Sequence, residues 1–347
     1  MAYTTINNGS EYFNTVLYTG NGGTQSVIGV GFQPDLVWNK SRSSAYVHGL
    51  NDVVRGAGNT LISNSTDEEQ AWSAYFTSFD SDGFSMATGG GTFNASGTTY
   101  ASWNWKANGA GVSNTDGSIT STVSANTTSG FSIVSWTGTG AAATVGHGLG
   151  VVPKITIVKG REAVTNWIVG GSLIVDVGGS TNNYMILNGT AGMDTSVDLY
   201  ASYNTDTIGV KTDTNINGSG QGMVMYCFAD VKGFSKFGSY TGNGSADGTF
   251  VYTGFKPAFV MVKETSNINS WRILDNKRSP INVMNKPLFA NLSNAEGTAD
   301  HETDFVSNGF KIRSSDTNMN RSGGTFIYMC FAENPFVTST KTPTTAR

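Results

Sequence analysis

One stretch of text occurs three times in this chain, and it limits the fold more than any other feature. Tyr240-Thr241-Gly242-Asn243-Gly244 is followed by Gly254-Phe255-Lys256-Pro257. Near the N-terminus the same order reads Tyr18-Thr19-Gly20-Asn21-Gly22, then Gly31-Phe32-Gln33-Pro34. A weaker copy lies between them, Trp136-Thr137-Gly138-Thr139-Gly140 and Gly150-Val151-Val152-Pro153. Pro34, Pro153 and Pro257 are 119 and 104 apart, and Lys40, Lys159 and Lys263 keep both spacings. Eight residues past each lysine stands His48, Trp167 or Trp271. Each unit closes on an alternating run: Tyr100 to Trp105, Met223 to Phe228 and Phe326 to Phe331. A period of roughly a hundred residues is too long for a solenoid, whose repeats run about 20–50. Each copy is instead the size of a domain. The expected division is 1–108, 109–230 and 231–347, the last ending in a short polar tail.

Composition selects the fold class. Charged residues are 13%, against roughly 25% in an ordinary domain. Glycine is over-used at 44 residues and proline sparse at 7. Gly, Ser, Thr and Asn with β-branched and aromatic residues suit short strands and tight turns. Aromatic residues at 11% are enough to build cores, which argues against disorder. The one helix candidate, Asp67 to Phe76, is short. A net charge of −4 without a Lys/Arg cluster argues against nucleic acid as a partner. Met1-Ala2-Tyr3-Thr4 lacks the charged and apolar regions of a signal peptide. No apolar run of about 18 residues suggests membrane insertion. Synthesis in a cytoplasm is therefore expected.

Within unit 1, Phe13 to Thr19 alternates imperfectly, as a strand does. Gly20 to Gly23 is a turn, and Pro34 breaks the next strand. Leu36-Val37-Trp38-Asn39-Lys40 reads as a central strand. Ser81-Asp82-Gly83-Phe84 marks a hairpin, echoed by Ser307-Asn308-Gly309-Phe310. Turn signals at about ten-residue spacing indicate a sandwich or jelly roll. Asn108 to Ser118, rich in Gly, Ser and Asn, reads as a flexible joint. The fold expected is all-β: three tandem β-sandwich domains, jelly-roll or concanavalin-like.

Candidate chemistry is thin. Asp52 and Arg55 recur as Asp275 and Arg278, while unit 2 has Gly171 in place of the acid. Such a pair can form a ligand site, but its repetition favours an ion pair that holds a loop against the sandwich. Lys40, Lys159 and Lys263 end their strands and read as snorkelling or loop-pairing residues. His48, His147 and His301 have no metal-ligand spacing, and there is no Cys-x-x-Cys. Cys227 and Cys330 hold equivalent places in separate units and read as buried thiols rather than a disulfide. Gly89-Gly90-Gly91 lacks the Lys-Ser or Lys-Thr of a phosphate loop. Asp80, Asp82 and Asp304 are candidate calcium ligands, but no loop has EF-hand acid density. No cofactor is indicated and no enzyme is expected. The seven tryptophans exceed what three small cores require. Exposed aromatics that stack on sugars or anchor interfaces are therefore the better lead, although Trp103, Trp105 and Trp167 individually suit packing.

These phrases resemble a known family. Tyr-Thr-Gly-Asn-Gly, Gly31 to Trp38, the Ser-Asp-Gly-Phe turn and the closing Tyr328 to Phe336 are similar to a repeat module of tailed-bacteriophage virion proteins, tail-fibre-like and frequent in phages of marine and cyanobacterial hosts. The likeness covers nearly the whole chain and is weakest in unit 2. It implies a non-enzymatic virion surface protein and brings no catalytic residues with it. A tail fibre or tail-tip adhesin meeting host surface glycan is the leading expectation. A capsid decoration or head-fibre protein is the alternative. A tailspike depolymerase would need a carboxylate pair about 5–10 Å apart, and no clear pair is present. Other virion proteins are the expected partners, and a homo-oligomer, most simply a trimer, follows by analogy.

Overall fold

The computed structural model describes residues 4–298 and 302–335. The C-terminal tail and His301 lie outside them. The protein is all-β, with many antiparallel sheets and only short helical turns.

Each unit is a two-layer sandwich with the same wiring. In unit 1 the larger sheet runs Phe13–Thr19, Thr99–Trp105, Leu36–Ser41, Gly49–Asp52. In unit 2 the matching order is Phe131–Thr137, Gly222–Phe228, Ile155–Gly160, Ile168–Gly170. In unit 3 it is Ser235–Thr241, Thr325–Pro335, Phe255–Glu264, Arg272–Asp275. The closing strand is therefore central and the lysine strand lies beside it. Registers agree as well: Lys40 pairs Ala101, Lys159 pairs Val224 and Lys263 pairs Ile327. A three-stranded sheet covers one face of each larger sheet.

The repeated turns have a steric cause. A Cβ on Gly20, Gly138 or Gly242 would come within 2.4, 2.2 or 2.4 Å of a backbone carbonyl oxygen. Each turn is clamped by one buried asparagine. Asn94 accepts from Asn21 N at 2.8 Å, Asn217 from Thr139 N at 3.0 Å, and Asn320 from Asn243 N at 2.9 Å. At the hairpin, a Cβ on Gly83 would sit 1.9 Å from the Val27 carbonyl oxygen, and one on Gly309 2.0 Å from that of Val251.

The lysine strands are buried on both faces, so they read as nearly unbroken apolar runs. Their side chains alternate between two cores, because strand residues point to opposite faces in turn. Val37, Val158 and Val260 enter the interior of their own sandwich. Leu36, Trp38, Ile155, Ile157, Phe259 and Met261 enter one cluster common to all three units. Among the described residues this shared core is the largest, and it belongs to no single unit. The closing-strand residues Trp105, Phe228 and Phe331 meet there in a triangle with ring centroids 6.2, 6.1 and 5.8 Å apart. The triangle marks a pseudo-threefold axis. The gap beside it is about 10 Å³ and lined by apolar residues of all three units. That is at the lower limit for a single water, so the axis is filled core rather than a channel.

Some local expectations differ from the structure. Asn108 to Ser118 is pinned rather than loose: Val112–Asn114 adds an edge strand to Ser121–Asn126, and Asn108 N donates to Ser124 Oγ at 2.9 Å. Residues 67–76 form turns and the two-residue strand Gln70–Ala71 rather than a helix. Glu69 is drawn out of any helical path by two arginines. Six of the seven tryptophans are buried, and only Trp72 is half-exposed. The shared core absorbs the aromatic surplus that pointed to exposed rings.

Candidate functional site at the joints between units

The recurrent residues singled out from the sequence converge where units meet. Trp167 Nε1 donates to the Ile62 carbonyl of unit 1 at 2.8 Å. Trp271 Nε1 donates to the Ile186 carbonyl of unit 2 at 2.9 Å. The equivalent His48 lies 2.9 and 3.1 Å from the Phe289 and Leu292 carbonyls of unit 3 through Nε2. Trp38 Nε1 donates to His48 Nδ1 at 2.8 Å, so Nε2 carries the proton. Each unit thus grips the preceding one, and the third junction closes the ring. Burial, with the Lys40 charge second, lowers the His48 pKa to about 3. The ring is therefore held neutral.

The three lysines are buried, and their heads pair with backbone carbonyls instead of snorkelling to water. Lys159 Nζ donates to Thr66 O of unit 1 at 2.9 Å and to Thr165 O at 2.7 Å. Lys263 Nζ donates to Thr190 O of unit 2 at 3.2 Å and to Glu264 O at 2.8 Å. Lys40 Nζ donates to Ser41 O at 2.7 Å. Burial lowers each lysine to about 8.

The Asp-x-x-Arg pairs do more than hold their own loops. Asp52 accepts from Arg55 Nε at 2.5 Å and from Tyr226 Oη of unit 2 at 2.8 Å. Arg55 reaches Glu69 at 2.7 Å, and Glu69 also binds Arg161 of unit 2 at 2.7 Å. The second network repeats the first. Asp275 accepts from Arg278 Nε at 2.6 Å and from Trp103 Nε1 of unit 1 at 3.0 Å. Arg278 reaches Glu296 at 3.2 Å, and Glu296 binds Arg42 of unit 1 at 2.9 Å. Burial would raise the Glu69 carboxyl, but the Arg161 hydrogen bond and the Arg55 charge outweigh it and hold it low. Glu296 is held low in the same way by Arg42 and Arg278. Every charge in these networks has a partner, as burial demands.

The remaining junction, between units 2 and 3, carries no such network. Gly171 and Ile174 replace the Asp and Arg, and Met329 replaces the donor. Met193 occupies the glutamate position and Thr265 that of the bridging arginine. Backbone geometry fixes this match. Glu69 N donates to Arg161 O, Met193 N to Thr265 O and Glu296 N to Arg42 O, at 2.7, 2.5 and 2.6 Å. Five positions differ together, polar at the other two junctions and apolar or neutral at this one. Sequence reasoning found the Asp and Arg but missed Tyr226, Trp103, Glu69, Glu296, Arg42 and Arg161. The exchange of Trp103, Tyr226 and Met329 within the closing runs was the available signal.

The remaining candidates are occupied locally. Asp82 accepts from Gly29 N and Gly31 N at 3.1 and 2.6 Å. Asp80 accepts from Ser78 and Ser85 hydroxyls, and Asp304 pairs with Arg313 at 3.4 Å. Cys227 and Cys330 face the separate interiors of units 2 and 3 as free thiols. Burial pushes Cys227 up to about 12. Among the described residues no three His, Cys, Asp or Glu side chains gather in a metal-binding group. No helix among them is long and apolar enough to cross a membrane.

Three surface clefts bear on binding. One of about 190 Å³ in unit 1 is lined by Trp72, Tyr75, Gly90, Gly91, Thr92 and Phe93. One of about 350 Å³ in unit 2 includes Arg161 and Glu162. One of about 600 Å³ at the start of unit 3 includes Asp230, Lys236 and Tyr252. None presents more than one carboxylate.

No curated protein matches this chain. A family model described as a domain of unknown function, DUF7483, matches residues 8–335 and so runs through all three units. The chain belongs to the DUF7483 family.

Proposed function

We propose that this chain is a non-enzymatic structural protein displayed on the surface of a phage particle, foremost as a tail-fibre or tail-tip adhesin. The observation that carries the reading is where the buried polar chemistry lies. His48, Trp167, Trp271 and both carboxylate networks are committed to locking three sandwiches around one axis. Such a chain makes a rigid, loop-studded body. The virion-module phrases of the sequence support the same reading. The protein is made in a host cytoplasm and ends on the virion. Its partners are other virion proteins and host surface glycan. The expected homo-oligomer assembles through the outer faces, because the inner faces are already joined.

One observation favours the capsid decoration alternative. The loops after the three lysine strands carry exposed apolar residues at equivalent places, Ala45, Val164 and Ile268. A pseudo-threefold set of that kind suits a seat on a threefold site of a shell. The depolymerase reading gains nothing from clefts with single carboxylates.

Purified protein is mixed with host cells and, separately, with empty heads and tail-only particles. Binding to cells, with the protein present on tails, is the expected result. Binding to heads with none on tails would replace the adhesin by the decoration protein. Binding to none of the three would sink the virion reading.

A further inference from the structure

We propose that the cleft beside Gly90 is a seat for one neutral pyranose ring. This names a ligand class for the adhesin reading and rests on that reading only for its biological use. The three units show why the cleft exists in one of them. In units 2 and 3 a short turn starts at Asp213 and Asp316, whose side chains accept from Asn215 N and Asn318 N at 2.8 and 2.6 Å. The same turn in unit 1 starts at Gly90, whose carbonyl receives Phe93 N and Asn94 N. Its counterparts Asp213 and Asp316 receive the matching pairs. Glycine here supplies no capping carboxylate. Among the described residues nothing accepts a hydrogen bond from Thr92 N.

Aromatic rings wall the side of the cleft where that side chain would stand. A Cβ on Gly90 would come 2.6 Å from the Tyr75 ring, and one on Gly91 2.4 Å from the Tyr46 ring. Trp72 stands nearly perpendicular to Tyr75, with centroids 5.9 Å apart at 78°. Phe93 closes the floor. Among the described residues the Trp72 indole N–H and the Tyr75 hydroxyl have no hydrogen-bond partner.

These features fit a sugar better than other small ligands. Flat apolar walls match the C–H faces of a pyranose, as Trp and Tyr rings generally do when one end stays wet. The free N–H and O–H groups of the lining residues Trp72 and Tyr75 match its hydroxyls. The lining carries no charge, which favours a neutral ring over an anionic one. The volume of about 190 Å³ is below the roughly 300–1,000 Å³ that encloses drug-sized ligands, so one ring is the natural occupant. An apolar side chain would strand the free donors.

Methyl glycosides of glucose, galactose, mannose and N-acetylglucosamine are titrated into the full chain. Trp72, the half-exposed tryptophan, reports by fluorescence, and saturation-transfer NMR reports independently. Saturable binding of at least one glycoside is expected, with a dissociation constant on the order of millimolar. Trp72→Ala should weaken it roughly tenfold through lost stacking. Gly90→Asp should abolish it by restoring the side chain that the other units carry. Melting temperatures show whether each variant folds, and Gly90→Asp decides if Trp72→Ala does not. No saturable binding by any glycoside, or undiminished binding by Gly90→Asp, overturns the proposal. Host-cell binding separates the two readings. Cells bound equally by wild type and both variants, with no glycoside bound, leave the adhesin standing and remove this seat. Glycoside binding without cell binding keeps the seat and removes the adhesin.

Discussion

The hydroxyl of Tyr226 donates to Asp52 Oδ2 across 2.8 Å, and the two residues belong to different units. The bond lies inside a network that recurs at one other junction and is absent from the third. There, acid, arginine, glutamate, bridging arginine and donor are all replaced at once. Members of a buried network are lost together because removing one leaves another charge unpaired. The five positions are thus polar as a set at two junctions and apolar or neutral as a set at the remaining one, the pattern expected of one unit of stability.

Removing single members should therefore be costly. Tyr226→Phe deletes one hydrogen bond to a buried carboxylate, a loss of about 1.5–3 kcal/mol. Arg55→Ala strands Asp52 and should cost about 3–5 kcal/mol. Urea denaturation with unchanged slope checks both. Equal and small losses for the two would mean that the network contributes nothing.

The chain already contains the apolar solution, so it can be transplanted. Asp52→Gly, Arg55→Ile, Glu69→Met, Arg161→Thr and Tyr226→Met together reproduce the junction between units 2 and 3. Well-packed apolar groups often replace a buried ion pair at little net cost. The quintuple variant should sit within about 2 kcal/mol of wild type, above Arg55→Ala alone. A denaturation midpoint at the sum of the single losses would defeat the idea.

The legible part of this design was periodic. Repeat spacing located the lysine strands, and the alternating runs located the closing strands. Strand period alone does not say which face meets a neighbouring unit. Trp103 and Trp105 look like ordinary core residues in the sequence. Their burial by Phe259 and Phe228 of other units depends on ring closure. Asp52 and Arg55 were legible as a pair because they are three residues apart. Tyr226 was not, because its partner is 174 residues away. Gly90 was noticed only as part of a glycine run. Its meaning emerges beside Asp213 and Asp316, whose carbonyls begin the same turn in the other units.

His48 gives the fold an acid-sensitive joint. Its folded pKa is lowered to about 3, below the ordinary value of about 6.5. Between these values the unfolded chain binds a proton that the folded chain does not. Stability is intact above about pH 6.5 and falls as pH drops toward 3, by at most about 1.4 kcal/mol per unit from this group. His48→Gln keeps a donor for the carbonyls and an acceptor for Trp38 but cannot titrate. Its stability should decline less between pH 7 and about pH 5. Parallel curves for the two proteins would remove His48 from the account.

The lysines act at the other end of the scale. Each is lowered to about 8 in the fold, against about 10.4 in an unfolded chain. Burying the charge penalises the fold below pH 8, and that penalty is relieved as pH rises from about 8 toward 10. The raised thiols of Cys227 and Cys330 oppose this gain, so the comparison is made between variants. Lys263→Met carries no buried charge. Relative to it, wild type should gain stability between pH 7.5 and about pH 9.5. A constant difference across that range would show that Lys263 keeps an ordinary affinity for its proton.

The shared core sets what a single unit can do alone. Severed at residue 108, unit 1 would expose Phe13, Leu36, Trp38, Trp103 and Trp105, all buried in the cluster common to the three units. An apolar patch of that size is an aggregation liability rather than a solvated face. Residues 1–108 expressed alone should therefore aggregate or bind hydrophobic dye, although the small interior around Phe76 and Phe84 lies wholly within them. The intact chain should unfold in one calorimetric transition whose van't Hoff and measured enthalpies agree, because breaking any junction opens the core that the other two units need. Three separable transitions, together with a soluble and folded 1–108 fragment, would mean that the triangle of Trp105, Phe228 and Phe331 holds little of the free energy that keeps the units together.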